Sequence, residues 1–505
     1  MSVLSSLSLP NSDILLAVLL VVVLVAAIHL FILKRTSICK LPPGPTPLPL
    51  IGNMHTLDLK RLDKHLMKLA DVYGTVYTIY LGNRRTVVLI GYDAVKDALV
   101  NHAEQFAERS HLTVFETTAK GNGIIFGHGE SWKQMRRFTL STLRDFGMGK
   151  NTTEDRIIEE TGHLIKVFES YQGQPFDATF ILNSAASNIL CSMVLGNRFD
   201  YKDSTFLTLI RIVHENAKFG ASPKTQLYNI FPFLGFLLSD HKKVIENIKE
   251  FHVILKNVYN EYRSKVCKDN VRSYIEAFII KQQEEDLKNT NLYFHEGNYL
   301  SLMTNLFSAG TETTSTTLLW GLLLMMKFPH IQKKVHEEID AVIGKQRNPR
   351  MDDRKNMPYT DAVVHEIQRV ANVFPLNLLH ETTMDTHFRG YFIPKGTQVI
   401  PVLTSVLFDS TQWETPEEFN PSHFLDSNGK FLKKDAFLPF SAGRRICPGE
   451  SIAKMELFLF FTTLFQTFCF CPPPGISASD LDLTPVIGLT SSPKHFKVCA
   501  LKRGT

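Results

Sequence analysis

A single cysteine, Cys447, lies in a glycine-flanked segment near the C-terminus, at residues 440–449. A thiolate in an apolar interior is costly unless a metal ion stabilises its charge, and a metal also deprotonates the thiol. Gly443 and Gly449 let the backbone turn tightly, approach a flat cofactor and direct amide N–H groups at the sulfur. Arg445 offers a fork of donors suited to a carboxylate on such a cofactor. Taken alone, the commoner interpretation of Cys447 is a structural cysteine beside a surface arginine.

A polar segment, Ala-Gly-Thr-Glu-Thr-Thr at residues 309–314, interrupts a long apolar helix pattern over residues 300–326. Glycine in a helix costs about 1 kcal/mol relative to alanine, and threonine hydroxyls compete for backbone carbonyls. The segment therefore indicates a functional kink or groove. A polar helix face in solvent is the alternative.

Two pairs of side chains have helical spacing. Glu366 and Arg369 are three residues apart, on one helix face. As an exposed pair they would contribute only about 0.3–0.5 kcal/mol. Trp132 and Arg136 are four residues apart and stand one above the other on a helix. A tryptophan packed on an arginine stem would explain that pair equally well.

These segments together resemble the cytochrome P450 monooxygenases. Their haem-ligand loop, Phe-x-x-Gly-x-Arg-x-Cys-x-Gly, is matched here by Phe440, Gly443, Arg445, Cys447 and Gly449. The resemblance runs from the proline-rich segment at residues 40–49 to about residue 501. It implies a mainly α fold with small β-sheets, in which Cys447 is the axial thiolate ligand of haem b.

The resemblance also implies roles for the other motifs. Glu312 and Thr313 would deliver the protons that O–O bond cleavage of dioxygen requires. Glu366 and Arg369 would form a structural lock with His423, the histidine form being typical of the vertebrate family-2 drug-metabolising members. The cofactor-binding residues would be Trp132, Arg136, Arg109, His380, Arg445, Phe440, Gly443, Gly449 and Ala309, the first five donating to the haem propionates.

The expected substrate pocket is apolar. It follows the substrate-contact regions of the family, although ordinary core packing explains each residue singly. Because the set contains no charged residue, we expect a hydrophobic substrate, such as a fatty acid, a steroid or a foreign lipophile. A mobile roof is expected at residues 206–238. The candidate pocket residues are Ile125, Phe126, Asn305, Ala309, Leu376, Leu378, Leu379, Ile487 and Leu489.

The electrons must come from another protein, because no flavin or nicotinamide fingerprint is evident. The resemblance implies NADPH–cytochrome P450 reductase, with cytochrome b5 as a further candidate donor. Basic residues on the haem-ligand side would steer an acidic partner, or would simply be a solvated surface. These residues are Lys133, Arg137, Lys434 and Arg444.

An apolar run at residues 14–33, broken only by His29, is long enough to cross a hydrocarbon core of about 30 Å. Basic residues follow it, so the positive-inside rule places the remaining chain in the cytosol. A cleaved signal peptide is the rival, but the basic n-region and a cleavage site are missing. We expect a lumenal N-terminus (1–13), a single-pass anchor in the endoplasmic reticulum membrane (14–33), a basic and proline-rich hinge (34–49) and a haem-thiolate catalytic domain (50–505).

The composition excludes some other classes. A net charge of +5 without a basic tract gives no support for nucleic-acid binding. The seven cysteines show no CxxC or zinc-type spacing and argue against a disulfide framework.

The leading hypothesis is a haem-thiolate monooxygenase that hydroxylates or epoxidises apolar molecules with dioxygen. The alternative is a haem-thiolate isomerase or dehydratase acting on peroxides without a reductase, but Glu312 and Thr313 would then be unnecessary. A thiol hydrolase with Cys447 as nucleophile lacks a neighbouring histidine base in sequence. A non-catalytic haem-binding or lipid-binding protein would not need the proton motif.

Overall fold

The computed structural model describes residues 16, 19–21, 23, 41–147, 151–268, 270–290 and 292–504. Most of the predicted anchor, and the first part of the hinge, lie outside these residues. Within them, no helix combines the length and the apolar character needed to cross a bilayer.

Helices dominate the described chain, as predicted. The α-helices are α1 (Leu62–Tyr73), α2 (Tyr92–Lys96), α3 (Thr113–Ala119), α4 (Gly129–Asp145), α5 (Asn151–Ser170), α6 (Thr179–Val194), α7 (Ser204–Gly220), α8 (Pro223–Ile230), α9 (Asp240–Lys265), α10 (Tyr274–Leu287), α11 (Glu296–Lys327), α12 (Pro329–Val342), α13 (Pro358–Ala371), α14 (Thr404–Leu407) and α15 (Glu450–Thr467). A π-helical turn, Asp97–Asn101, continues α2. Short 3-10 turns cover Pro232–Phe236, Met351–Asn356, Pro421–Phe424, Gly443–Arg445 and Ala478–Asp480.

The strands are short and form small sheets. They are β1 (Val76–Leu81), β2 (Arg84–Leu89), β3 (Glu108–Arg109), β4 (His380–Glu381), β5 (Thr386–Phe388), β6 (Tyr391–Ile393), β7 (Gln398–Pro401), β8 (Phe468–Cys471), β9 (Pro485–Ile487), β10 (Ser491–Pro493) and β11 (Cys499–Lys502). The largest sheet has the order β1-β2-β7-β4-β3, and β1 and β2 form an antiparallel hairpin within it. The remaining strands pair as β5–β6, β8–β11 and β9–β10.

Helix α11 is the central element. Its 32 residues correspond to about 48 Å of helix at 1.5 Å per residue. The His295 side chain caps its N-terminus by accepting from the backbone N–H of Asn298. Its C-terminal half is buried against α5, α6, α12, α13 and α15 in one apolar cluster. The helix continues without interruption through residues 309–314.

Residues 206–238, where the sequence pattern was only a set of apolar runs, contain most of α7 and all of α8. Apolar side chains on one face of α7 are buried against α9 and α11. The 3-10 turn after α8 and the residue that follows it expose large apolar side chains, those of Phe233, Phe236 and Leu237.

Candidate active site

The segment around Cys447 is a tight turn that leads into α15. Gly443 has a φ of +75°, and a Cβ atom there would lie 1.7 Å from the carbonyl oxygen of Leu99. Only glycine fits this position, because its neighbour is backbone that cannot move aside. The backbone N–H of Cys447 donates to the carbonyl oxygen of Phe440 over 3.0 Å, which closes the turn.

The sulfur of Cys447 is approached by backbone donors. The amide N–H groups of Gly449 and Glu450 both point to it and favour the thiolate, as does the nearby Arg136. Burial outweighs them and raises the pKa of Cys447 above its usual value. A thiolate at this position would therefore need a further positive charge, which a metal ion can supply. A Cβ atom placed on Gly449 would lie 3.7 Å from the nearest side-chain atom, which belongs to Ile452. No side chain therefore crowds the turn at this residue.

A stripe of accessible residues crosses the middle of α11. Ala309 is exposed, and Asn305 and Thr313, four residues before and after it, are half-buried. The Thr313 hydroxyl donates to the Ala309 carbonyl oxygen over 2.7 Å, so its own oxygen can still accept a hydrogen bond. The alternative of a solvated polar face is wrong, since Thr311 and Thr314 are buried. Asn305, Ala309 and Thr313 thus form an accessible groove on a largely buried helix.

The Glu312 carboxyl is almost fully buried. It is 9% exposed and accepts a hydrogen bond from the Thr490 hydroxyl over 3.5 Å. Burial raises its pKa, which the nearby His214 opposes. Glu312 and Thr313 are thus adjacent in sequence but have different hydrogen-bond partners.

One buried acid was not predicted. Glu456 on α15 is fully enclosed and accepts a hydrogen bond from the Thr314 hydroxyl over 2.9 Å. Burial raises the pKa of Glu456 to about 8, so the carboxyl is mostly protonated at neutral pH. A lone carboxylate in the apolar run of residues 452–465 was the signal that could have identified it.

Arg445 and Trp132 form a stacked pair. The Arg445 guanidinium carbon lies 3.6 Å from the centroid of the Trp132 ring. Arg445 also donates to the carbonyl oxygens of Ala107 and Gly127, over 2.7 and 2.9 Å. Arg136, four residues after Trp132, lies farther from the ring, with its guanidinium carbon 5.9 Å from the centroid, and donates to the Ile446 carbonyl oxygen over 2.5 Å.

Arg109 and His380 are brought together by pairing of β3 with β4, in which they are directly opposite. Arg109 Nη1 donates to the Leu378 carbonyl oxygen over 2.9 Å, and His380 Nδ1 lies 2.6 Å from the Phe106 carbonyl oxygen. Both side chains are buried, and burial together with the neighbouring arginines lowers the pKa of each.

Four nitrogen atoms in this neighbourhood are buried without a hydrogen-bond partner: Trp132 Nε1, Arg109 Nε, His380 Nε2 and Arg445 Nη1. Such orphaned groups are rare in folded proteins and indicate a missing ligand. The positive charge of the neighbouring arginines also indicates a missing anionic group. Burial, and the positive charge of Arg136, lower the pKa of Arg445 to about 9, although Glu108 opposes this. Among the described residues, Glu108 is the carboxylate paired with Arg445, and no ion pair forms at Arg109 or Arg136. A group carrying two carboxylates, such as haem, fits this donor set.

The Glu366–Arg369 pair is buried, which excludes the exposed-pair alternative. Arg369 Nε and Nη2 donate to the two Glu366 oxygens over 2.8 and 2.7 Å, and both side chains are 0% exposed. His423 Nδ1 lies 3.2 Å from Glu366 Oε1. The remaining Arg369 donors reach the carbonyl oxygens of Leu407, Pro416 and Glu418.

The candidate pocket residues are spread over several elements. Asn305 Oδ1 accepts from the backbone N–H groups of Ile124 and Ile125 over 2.8 and 3.0 Å, so it fastens the loop before α4 to α11. The Phe126 ring stacks on Phe115. Leu376 and Leu379 pack against the apolar cluster beside β1 and β2, and Leu378 between them is half-buried. Ile487 is the last residue of β9, and Leu489 is 38% exposed.

The four predicted partner-facing bases lie on three different segments of the fold. Lys133 and Arg137 are exposed on one face of α4, and Lys133 pairs with Glu130 over 3.3 Å. Arg444 is exposed beside the cysteine turn and pairs with Glu104. Lys434 is half-buried, and no described contact joins it to the other three.

The fold and this site define a haem-thiolate protein. A buried thiol that lacks a compensating cation lies close to unpartnered donors suited to two carboxylates. Comparison of the sequence with protein families gives the same answer: the chain belongs to the cytochrome P450 family, whose model matches residues 42–500.

Similar proteins include cytochrome P450 2K1 of Oncorhynchus mykiss, which is 48% identical over 92% of each chain. Mouse (Mus musculus) cytochrome P450 2C39 is 46% identical over 92% of this chain and 94% of its own. Mouse cytochrome P450 2F2 is 46% identical over 91% of this chain and 94% of its own. The chain is thus a haem-thiolate monooxygenase that uses dioxygen and electrons from NADPH through a reductase.

Proposed function

We propose that Cys447 is the thiolate ligand of the haem and that the enzyme hydroxylates or epoxidises apolar small molecules. The observation that carries this proposal is the set of four buried, unpartnered donor nitrogens near the cysteine turn. These donors would compensate the negative charge of two carboxylates, which would otherwise be costly to bury.

Each part of the site has a task in this proposal. The bound haem supplies the reductive activation of dioxygen. The amides of Gly449 and Glu450 hold the negative charge of the sulfur through hydrogen bonds. Arg109, Trp132, His380 and Arg445 hold the propionates, and Arg136 adds positive charge beside Cys447.

Thr313 and Glu312 would share proton delivery. The Thr313 oxygen can accept a hydrogen bond from a water molecule because its proton is already donated to Ala309. Glu312 is the nearby acid, and its raised pKa increases the fraction that carries a proton at neutral pH. Since no described hydrogen bond joins the two side chains, the proton would pass between them through water.

The substrate class follows from the groove on α11. Ala309 provides its exposed floor, and Ile125 and Phe126 lie in the loop that Asn305 fastens to the same helix. None of the candidate pocket residues is charged, which suits fatty acids, steroids or foreign lipophiles held without an ion pair. Helices α7 and α8 would form the roof.

The same proposal places the enzyme at a membrane. Residues 14–33 would anchor it in the endoplasmic reticulum by a single pass, with residues 1–13 lumenal, residues 34–49 as hinge and the catalytic domain, 50–505, cytosolic. The apolar run and the basic residues after it support this topology. The reductase, and cytochrome b5 as a further donor, would dock near Lys133 and Arg137, which are exposed on one face of α4.

The role of Thr313 is tested by Thr313→Ala in the reconstituted enzyme with reductase. We expect NADPH consumption to continue while peroxide release per NADPH rises several-fold, because the water held by the hydroxyl is lost. Thr317→Ala is the matched control, since its hydroxyl makes the same bond to a carbonyl oxygen four residues earlier, over 2.9 Å. Equal coupling in the two variants would remove Thr313 from proton delivery.

A further inference from the structure

Three free cysteines lie in the two-stranded sheet that β8 forms with β11. Cys469 and Cys471 are two residues apart on β8, so their side chains point to the same face of the sheet. Cys499, the first residue of β11, is directly opposite Cys471, whereas Cys469 is opposite Leu501. Directly opposite residues share a face, so the pairing of the strands brings the thiols of Cys471 and Cys499 together.

This pair has the separation that a disulfide needs. The backbone N–H and carbonyl groups of Phe470 and of Val498 bond to partners outside the β8–β11 pair. Bonded positions alternate along an antiparallel ladder, so Cys471 and Cys499 face each other as a hydrogen-bonded pair. The Cα atoms of such a pair are about 5.5 Å apart, within the range of roughly 4.4–6.8 Å that disulfides span. A hydrogen bond already joins the two thiols.

The two thiols differ in their access to solvent. Cys471 is half-buried, whereas Cys499 is 3% exposed. A small oxidant therefore reaches Cys471 first and finds the second thiol held beside it. Burial raises the pKa of Cys471, so little thiolate is present at neutral pH and its oxidation is slow. The pair is thus suited to sustained exposure to an oxidant and not to every turnover.

We propose that Cys471 and Cys499 are a redox pair that closes to a cross-strand disulfide when hydrogen peroxide accumulates. Peroxide is the product that the enzyme releases when reduction of dioxygen is not coupled to oxidation of a substrate. The Cys471 thiolate attacks one peroxide oxygen, the O–O bond breaks, and Cys471 becomes a sulfenic acid as hydroxide leaves. The Cys499 thiolate then attacks the Cys471 sulfur, a sulfur–sulfur bond forms, and a second hydroxide leaves. The thiols lose two electrons, and the two hydroxides take up the two thiol protons as water.

The disulfide would close the segment between residues 471 and 499, which contains the β9–β10 hairpin. Ile487 and Leu489, two of the candidate pocket residues, lie in this segment. The bond also diverts the sulfenic acid from irreversible oxidation to a sulfinic acid. Because Cys471 is half-exposed, glutathione should be able to reduce the bond again. The pairing itself does not depend on the role proposed for the pocket.

The experiment exposes the full-length holoenzyme, first reduced and then freed of reductant, to submillimolar hydrogen peroxide. A parallel sample receives glutathione disulfide, which oxidises thiols by exchange and spares the haem. The remaining thiols are alkylated under denaturing conditions, and tryptic peptides are analysed by mass spectrometry without reduction. Trypsin separates the partners, because residues 455–494 hold Cys469 and Cys471 whereas residues 498–502 hold Cys499. We expect these two peptides to be joined, with the loss of two hydrogens, and to separate again after treatment with reduced glutathione.

Two variants assign the sulfur atoms. Cys469→Ser is the matched control, because Cys469 is on the same face of β8 but has no cysteine opposite it, and this change should leave the cross-link unchanged. Cys499→Ser should abolish the cross-link and raise trapping of the Cys471 sulfenic acid by dimedone several-fold. The proposal would be overturned if both peptides were recovered as separate alkylated species after oxidation, or if the cross-link survived Cys471→Ser. Equal dimedone labelling of Cys471 in the wild type and in Cys499→Ser would also overturn it.

Discussion

Replacement of Glu456 by glutamine should make the protein more stable, by an amount that grows with pH. The Glu456 carboxyl has a pKa of about 8 when folded, against an ordinary value of 4.5. Because the folded-state pKa is the higher one, the carboxyl stabilises the fold below about pH 4.5, and that contribution is lost as the pH rises through about 8. At 1.36 kcal/mol per pKa unit, the loss is about 1 kcal/mol near pH 5 and about 3 kcal/mol at pH 7.

Glutamine has the same shape and its amide oxygen can still accept from the Thr314 hydroxyl, but it carries no charge to bury. The unfolding entropy is about 2.1 cal/mol/K per residue, so about 3 kcal/mol corresponds to roughly 3 °C in a chain of 505 residues. Thermal unfolding of the holoenzyme at one fixed scan rate, at pH 5, 6 and 7, measures the difference between variant and wild type.

Glu450→Gln is the control on the same helix. Glu450 is partly exposed and pairs with Lys454 over 2.6 Å, so its loss should not raise the midpoint at any pH. The reasoning would be refuted if Glu456→Gln left the midpoint unchanged, or raised it equally at pH 5 and pH 7. Either result would mean that Glu456 is not a buried acid with a raised pKa.

Two further predictions follow from the buried polar groups. Arg369→Lys should cost about 3–5 kcal/mol, because lysine cannot make the paired bonds to Glu366 and leaves carbonyl oxygens unpaired. The yield of folded holoenzyme should fall sharply, whereas Arg354→Lys, at the partly exposed pair with Asp361, should give a normal yield. Trp132→Phe keeps a ring beneath Arg445 but removes the Nε1 donor. A charge-assisted hydrogen bond contributes about 1.5–3 kcal/mol, so haem transfer to apomyoglobin should be roughly 10–150-fold faster. An unchanged transfer rate would show that Trp132 does not hold a propionate.

The mainly α fold could be predicted because long amphipathic helices and a β-branched hairpin leave clear periodic patterns. The helical pattern of residues 153–171 and the β-branched runs of residues 76–90 coincide with α5 and with β1–β2 within a few residues. The π-helical continuation of α2 could not be predicted, because its residues have the same apolar spacing as an ordinary helix.

The site was predictable where motifs are local and not where contacts are distant in sequence. Gly443 was expected to allow a close backbone approach, but its neighbour, the backbone of Leu99, is a long-range contact that spacing cannot indicate. In the same way Trp132 was matched with Arg136 by helical spacing, whereas the fold stacks it on Arg445.

The most direct measurement is the absorption spectrum of the reduced, carbon-monoxide-bound protein. Thiolate ligation by Cys447 predicts a strongly red-shifted Soret band in the wild type and loss of that shift in Cys447→His. Cys191→Ser should keep the shift, since that buried cysteine lies on α6, far from Cys447 in sequence. An unshifted band in the wild type, or a red-shifted band that survives Cys447→His, would contradict the assignment of Cys447 as the haem ligand.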